Sequence, residues 1–320
     1  MLKLRLIFGP MMILALLALF YFDNSLDQLN LTGTIFERLF IGRAYLPAGL
    51  LMLLAFLLLI PLVARELVRI FHAKGIEANP VMITISAMIG CTLLYAVPHK
   101  LSSQNTMAIF ATVLVVLFFA TLLQYAFRHQ RTQGAVAVAG VTLLALIYLG
   151  LLPGFYIAIR RWHTAWVVAG ILLVVKSSDI GAYFTGRAIG KHKLIPWLSP
   201  GKTWEGLIGG VLFSGLVAAG LAMASNAWDL TYVMTKVAGE RTRVPLEISP
   251  LAAFGAGVLM GLVGQFGDLC ASLFKRDAGI KDSGSSIPGF GGVLDVVDSP
   301  IVVAPLAYWL LAWAAYSATG

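Results

Sequence analysis

The sequence predicts an all-α polytopic integral membrane protein with about nine transmembrane helices. Hydrophobic residues make up 59% of the 320 residues and charged residues only 12%, and the mean hydropathy is +0.87, whereas soluble domains carry roughly 25% charged residues. This composition excludes a water-soluble globule and a disordered chain. The two cysteines, Cys91 and Cys270, are too few for a disulfide scaffold or a tetrahedral zinc site.

The predicted spans are apolar stretches of the length that crosses a bilayer. About 20 apolar residues cover roughly 30 Å of hydrocarbon. The first stretch follows Lys3 and Arg5, as in a signal peptide, but residues 20–23 lack small side chains for cleavage, so a retained helix is expected. The stretches lie near residues 6–22, 44–64, 80–98, 106–127, 134–159, 164–178, 206–224, 250–269 and 296–316.

The distribution of Lys and Arg predicts the orientation of these spans. With nine spans, most of the cationic residues fall on the side of the N-terminus, so the positive-inside rule places the N-terminus and the loops 179–205 and 270–295 in the cytoplasm. The formal net charge of +8 is then explained by cytoplasmic loops facing anionic headgroups. Nucleic-acid binding is not expected.

Charged residues are unevenly divided between the two halves of the chain. Residues 1–145 show ordinary apolar spans with acids confined to the loops, and we interpret this part as a transmembrane scaffold. In residues 146–320, charged residues crowd into two segments that touch the ends of spans. Ionisable groups near the membrane core cost about 2.5–3.5 kcal/mol or more, so they usually have partners or a task. The second half is therefore expected to hold the functional site.

The first charged segment, residues 178–206, has the composition of a phosphate-binding site. Gly, Ser and Thr alternate with cations, and backbone N–H groups and ammonium heads converge well on phosphate oxygens. A P-loop is excluded because Pro196 stands where the spacing requires Gly. A basic loop lying on anionic headgroups remains an alternative. The residues of interest are Asp179, Arg187, Lys191, Ser199, Lys202, Thr203 and Glu205, the last of which could instead cap the following helix.

The second charged segment, residues 267–298, places carboxylates where two neighbouring spans meet. Asp268 is predicted in the last turn of one helix, and Asp295 and Asp298 open the next, where the i, i+3 spacing puts them on one face. Clustered carboxylates suit Mg²⁺, which binds a few carboxylates, waters and substrate phosphates. Alternatively, Asp295 only caps the last helix and Asp268 pairs with Lys275 or Arg276.

Both segments resemble the phosphatidate cytidylyltransferase family, also called CDP-diacylglycerol synthase. The family signature runs S-x-x-K-R-x4-K-D, a short spacer, then P-x-H-G-G-x-x-D-R-x-D. This chain matches it from Ser272 to Asp298, and the Ser-Pro-Gly-Lys-Thr-Trp-Glu-Gly run before Leu207 is also family-like. The resemblance covers residues 145–310, with two departures: Phe290 replaces the usual His and Val296 the usual Arg.

The resemblance implies transfer of CMP from CTP to phosphatidate in phospholipid biosynthesis, giving CDP-diacylglycerol and pyrophosphate. It implies Mg²⁺ as cofactor with K⁺ as a second cation, a bacterial inner (plasma) membrane location and a homodimer. The acceptor is a phosphate monoester, largely dianionic at neutral pH, so the reaction does not need a His base at position 290. The resemblance assigns Mg²⁺ to Asp268, Asp295 and Asp298, the nucleotide to residues of the first segment, and the lipid headgroup to Lys275, Arg276 and Lys281.

Two other functional classes stay open at this stage. One is another CTP-dependent lipid transferase, such as a polyprenol-type kinase or a cytidylyltransferase acting on archaeal-type lipids. The other is a transporter, which would show inverted repeats and midplane charges. No convincing repeat is present in the sequence, and its charges cluster near one face.

Overall fold

The computed structural model describes residues 2–32, 45–97, 102–130, 132–228, 232–237, 240–245 and 247–319. Within this part of the chain, eight helices are long and apolar enough to cross a membrane, and one shorter apolar helix, Pro80–Ala96, accompanies them. The predicted class, an all-α polytopic membrane protein, is confirmed.

The N-terminal half contributes five helices. Local signals mark several helix starts: Asn79 accepts hydrogen bonds from the backbone of Val81 and Met82 with Pro80 at the first helical position, and Ser102 caps the next helix, as expected for such residues. The helices are α1 Leu2–Leu26, α2 Leu50–Ala73, α3 Pro80–Ala96, α4 Ser103–His129 and α5 Ala135–Arg160, the last with a π-helical segment at Leu146–Leu151.

The C-terminal half contributes four helices and two short hairpins. The order is α6 Ala165–Ile189, β1 Lys193–Ile195, β2 Ser199–Thr203, α7 Trp204–Trp228, β3 Tyr232–Val237, β4 Glu240–Pro245, α8 Pro250–Asp277 and α9 Leu294–Thr319. β1 pairs with β2 and β3 with β4, both antiparallel. The segment 225–249 includes the β3–β4 hairpin, and the side chains of Lys236, Glu240, Arg241 and Arg243 lie outside the part of the structure that is described.

Small residues allow the helices of the C-terminal half to pack at close range. A Cβ at Gly210 would lie 2.5 Å from the carbonyl oxygen of Ser178, and one at Gly257 would lie 2.6 Å from that of Ser214. These positions join α7 to α6 and to α8. Close backbone approach through small residues is the usual basis of helix association in lipid, and here it aligns the ends of α6 and α8 beside each other.

Three predicted span ends are wrong. The apolar stretches stop near residues 64, 178 and 269, yet α2 continues to Ala73, α6 to Ile189 and α8 to Asp277. Asp179 and Arg187 therefore lie on a helix instead of a loop, and Asp268 lies well before the last turn of α8. Hydropathy marks where the lipid-facing sequence ends, whereas a helix continues into the aqueous region as long as packing and backbone hydrogen bonds support it.

The two halves are packed against each other. The Tyr156 hydroxyl, on α5, donates to the carbonyl oxygen of Pro300 on α9 at 2.9 Å. Lys74, just after α2, pairs with Asp277 at the end of α8 at 2.7 Å. The end of α2 thus lies beside the end of α8, on the side of the molecule that carries the functional site.

Candidate active site

A cavity of about 490 Å³ opens between α6, β2, α8 and the start of α9. It collects residues from both charged segments, which are far apart in the chain. The sequence-predicted residues that line it are Asp179, Arg187, Lys202, Thr203, Asp268, Asp295 and Asp298.

Lys202 and Asp268 join the two segments directly. The Lys202 ammonium lies 2.6 Å from the Asp268 carboxylate and donates to Oε1 of Gln265 at 2.9 Å. The alternative pairing of Asp268 with Lys275 or Arg276 is therefore not what the structure shows. Because β2 carries Lys202 and α8 carries Asp268, this ion pair closes one wall of the cavity.

Asp295 is fixed in the first turn of α9 by several donors. One oxygen accepts from the Lys275 ammonium at 2.7 Å. The other accepts from the backbone N–H groups of Ser283 and Gly292, at 3.1 and 3.0 Å. These donors belong to α8 and to the α8–α9 loop, so Asp295 does more than cap its own helix.

Asp298 and Asp179 also line the cavity, and of the two only Asp298 is buried. Asp298 is buried, with 3% exposure, and accepts from the backbone N–H of Ser299 at 2.7 Å. Asp179 accepts from the Gln265 amide at 2.9 Å and lies 3.3 Å from the Lys176 ammonium. Asp179 is therefore held by a local salt bridge within α6, with Lys176 as its partner.

Thr203 ends β2 and begins α7. Its hydroxyl accepts from the backbone N–H of Gly206 at 3.1 Å, which satisfies one of the free donors at a helix start. A Cβ at Gly190 or Gly206 would lie within 2.9 Å of that hydroxyl oxygen. The glycines of the first segment thus let α6 approach β2 and α7 closely.

Six predicted site residues do not line this cavity: Lys191, Ser199, Glu205, Lys275, Arg276 and Lys281. Lys275 reaches the site only through its hydrogen bond to Asp295. Glu205 lies in the first turn of α7, 2.6 Å from the His192 ring, and it also accepts from the His192 backbone N–H. Arg276 donates to the carbonyl oxygen of Ile280.

Three further polar residues line the cavity although they were not assigned to the site from the sequence: Lys176, Gln265 and Ser299. Each stands inside an apolar span, and an ionisable or amide group there is itself a signal of function. Lys176 also gives the cavity a cation, whereas Val296 removes one relative to the family signature.

The position that departs from the family's histidine lies apart from this cavity. Phe290 is not among the residues that line it. A Cβ at Gly9 of α1 would lie 3.5 Å from the ring of Phe290. The ring therefore faces α1.

The cavity supplies the oxygen donors that Mg²⁺ prefers. The described residues contain no group of three His, Cys, Asp or Glu side chains arranged around a common point, and three of the four carboxylates that line the cavity are paired with lysines. Mg²⁺ in nucleotide sites typically takes only one or two carboxylates, with substrate phosphates and waters completing the shell. The donor set therefore fits a metal that arrives with a nucleotide.

Comparison with known proteins agrees with these observations. The Cytidylyltransferase family model matches residues 27–314. The phosphatidate cytidylyltransferase of Bacillus subtilis is 31% identical over 242 residues, which cover 72% of this chain and 80% of that protein. That of Pseudomonas aeruginosa is 30% identical over 297 residues, 91% of this chain and 98% of the relative, and that of Brucella suis is 41% identical over 141 residues, 43% and 44% of the two chains.

Fold and cavity together define a polytopic membrane protein with a lysine–carboxylate site at one end of its helices. The matches extend over nearly the whole chain, so they cover the N-terminal helices as well as the two charged segments. The chain belongs to the cytidylyltransferase family, which confirms the resemblance seen in the sequence.

Proposed function

We propose that this protein transfers CMP from CTP to phosphatidate and so makes CDP-diacylglycerol and pyrophosphate for phospholipid biosynthesis. The observation that carries the proposal is the cavity in which Lys202 of the first segment meets Asp268 of the second. Named phosphatidate cytidylyltransferases similar to this chain over most of their length support the same reaction.

The chemistry requires two polyanions to meet. An oxygen of the lipid phosphate attacks the α-phosphorus of CTP in line, one P–O bond forms, and the bond to the pyrophosphate leaving group breaks. Because the attacking phosphate is already deprotonated, catalysis consists mainly of alignment and charge neutralisation. The cavity offers Lys176, Arg187 and Lys202 for that purpose.

The carboxylates of the cavity are proposed to hold Mg²⁺. Asp268, Asp295 and Asp298 are the ligands expected from the family signature, with K⁺ as a second cation. Bound by these residues, Mg²⁺ would supply positive charge to the triphosphate and its leaving group. Lys202 and Lys275 form ion pairs with two of these carboxylates. When the metal–nucleotide complex binds, each lysine would move to a substrate phosphate or share its carboxylate with the metal.

The remaining predicted residues are proposed to act at the rim. Lys191, Ser199 and Glu205 lie on or beside the β1–β2 hairpin and would contact the nucleotide. Arg276 lies in the last turn of α8 and Lys281 in the loop after it, and both would attract the lipid headgroup. Lys275 is proposed to position Asp295 as well as to add charge near the acceptor phosphate.

The reaction is tested with purified protein in detergent, CTP, Mg²⁺ and phosphatidate. We expect label from the α-phosphate of CTP in the lipid, together with pyrophosphate release. Asp268→Asn and Asp295→Asn should lower the rate at least about 100-fold, about 2.7 kcal/mol of barrier, whereas Asp277→Asn, on the same α8 helix but exposed, should not. Transfer of γ-label instead would indicate a lipid kinase, and near-normal rates in both site variants would remove the metal assignment.

The chain is an integral membrane protein by its helices, and we propose that its N-terminus and cavity face the cytoplasm of the inner (plasma) membrane. A homodimer is proposed from the family resemblance.

The orientation is tested by cysteine labelling in a Cys270→Ser background. The variants are Leu29→Cys, after α1, and Lys193→Cys, on β1, which lie at opposite ends of the bundle. An impermeant maleimide added to spheroplasts should label only Leu29→Cys; labelling of only Lys193→Cys would reverse the orientation.

A further inference from the structure

Glu66, near the end of α2, is a buried carboxylate from the N-terminal half that reaches the α8–α9 loop. The residue is 4% exposed. Its oxygens accept from the hydroxyls of Ser283 and Ser286, at 3.1 and 2.5 Å, and from the backbone N–H groups of Val293 and Leu294, at 2.9 and 2.8 Å. One side chain of the first half therefore holds the middle of this loop and its junction with α9.

The loop is shaped around this carboxylate. A Cβ at Gly284 would lie 2.8 Å from Oε1 of Glu66, and one at Gly292 would lie 2.4 Å from Oε2. Only glycine permits such an approach at these two positions. A buried carboxylate is stable only when its desolvation is offset by hydrogen bonds, and the donors described here are all neutral hydroxyl and backbone groups. The loop thus supplies the solvation that Glu66 loses by burial.

Ser283 connects Glu66 to the cavity. Its hydroxyl oxygen lies 3.1 Å from Oε2 of Glu66 and 2.9 Å from Oδ2 of Asp295, and its backbone N–H also donates to Asp295. Because a hydroxyl has one proton, Ser283 shares it between the two carboxylates. Ser286, in contrast, is described only as a donor to Glu66. The position of the Asp295 carboxylate therefore depends on where Glu66 holds Ser283.

We infer that Glu66 is a positioning residue of the active site, which fixes the α8–α9 loop and, through Ser283, orients Asp295 for its proposed metal and nucleotide. The inference rests on the proposed function. It makes the N-terminal half part of the catalytic apparatus as well as a scaffold. Groups that orient a metal-ligating carboxylate typically change metal affinity or activity 10–100-fold when they are replaced.

The first test is Glu66→Gln. Glutamine has the same shape as glutamate, but its amide NH₂ group replaces one acceptor oxygen and would face the hydrogen-bond donors of the loop. Hydrogen exchange of the 283–294 backbone in metal-free protein should become at least about tenfold faster, because the loop opens more often. The Mg²⁺ concentration for half-maximal CMP transfer should rise about tenfold and kcat should fall. Glu77→Gln, in the same half but exposed at the α2–α3 turn, should change neither quantity.

Variants of Ser283 and Ser286 separate a role of Glu66 in positioning Asp295 from a role in stabilising the loop. Each of Ser283→Ala and Ser286→Ala removes one hydroxyl from Glu66, but only Ser283 also contacts Asp295. We expect Ser283→Ala to raise the Mg²⁺ requirement about tenfold and Ser286→Ala to leave it within about twofold. This comparison decides the question even if Glu66→Gln fails to fold.

Equal Mg²⁺ requirements in the two serine variants would overturn the inference. It would also be overturned if Glu66→Gln showed faster hydrogen exchange in the loop but an unchanged kcat and Mg²⁺ requirement. Failure of the proposed function is distinguishable, because the wild-type protein would then show no CMP transfer. The hydrogen-exchange measurement would still test whether Glu66 stabilises the α8–α9 loop. Unchanged exchange in Glu66→Gln would overturn that part of the inference.

Discussion

Individual carboxylates in the cavity are held by lysines that come from other parts of the chain. Asp268 is paired with Lys202 and Asp295 with Lys275. Removing a charge from water costs several kcal/mol, and a close partner offsets part of that cost. The two carboxylates are thus held in fixed orientations in a site that must receive anionic substrates.

At the same scale, Phe290 tests whether a histidine is needed at its position. Its ring faces α1 and does not line the cavity, and the attacking phosphate needs no general base. We expect Phe290→His to change kcat/KM by less than about tenfold, about 1.4 kcal/mol. A much larger increase in the CMP-transfer rate would contradict this expectation, because it would show that the wild-type protein is slowed by the absence of a catalytic histidine.

At the scale of elements, α3 and α5 cross at a pair of glycines. A Cβ at Gly90 would lie 2.4 Å from the carbonyl oxygen of Leu146, and one at Gly150 would lie 2.5 Å from that of Ala87. The Ser86 hydroxyl donates across the same interface to the carbonyl oxygen of Thr142. The crossing coincides with the π-helical segment of α5, so the close contact and the altered helix geometry occur together.

Gly150→Ala is expected to destabilise the protein, because the added methyl group meets backbone atoms that cannot move separately from their helix. Overpacking of this kind costs typically 1–3 kcal/mol. Thermal unfolding in detergent measures the loss. Gly140→Ala, on the same α5 helix with no atom within 4 Å of the added carbon, is the matched control and should unfold at or above the wild-type temperature. Equal unfolding temperatures for the two variants would contradict the close crossing.

At the scale of the whole molecule, the cavity and a buried ion network lie at opposite ends of α6. Arg160, at the end of α5 and 2% exposed, contacts Asp23 and Asp27 of the α1 end at 2.5 and 2.6 Å. It also donates to the carbonyl oxygen of His163. The network joins α1 to α5 just before α6 begins, about 37 Å from the other end of that 25-residue helix.

The buried His163, beside this ion network, makes the stability of the protein depend on pH. Burial lowers the pKa of His163 from 6.5 to about 4, so the unfolded chain takes up this proton first as the pH falls. The contribution to stability is complete above pH 6.5 and is lost progressively toward pH 4, by up to about 3 kcal/mol. The unfolding temperature of the wild type should therefore fall more between pH 7 and 5 than that of His163→Gln. Parallel curves would contradict this.

Composition and local motifs were sufficient to predict the membrane class, nearly all spans and seven of the residues that line the cavity. These features are local: span length follows from bilayer thickness, and the signature residues are neighbours in sequence. Lys176 and Gln265 carried a local signal as well, because each interrupts an apolar span.

The partners across the site were not predictable in this way. Lys202 meets Asp268, and Glu66 meets Ser283 across 217 positions, only because elements that are distant in the sequence pack side by side. The continuation of α6 and α8 beyond their apolar stretches likewise depends on that packing. Hydropathy reports how each residue interacts with solvent and lipid, whereas the choice of partner depends on the three-dimensional arrangement of backbones that small residues bring into contact.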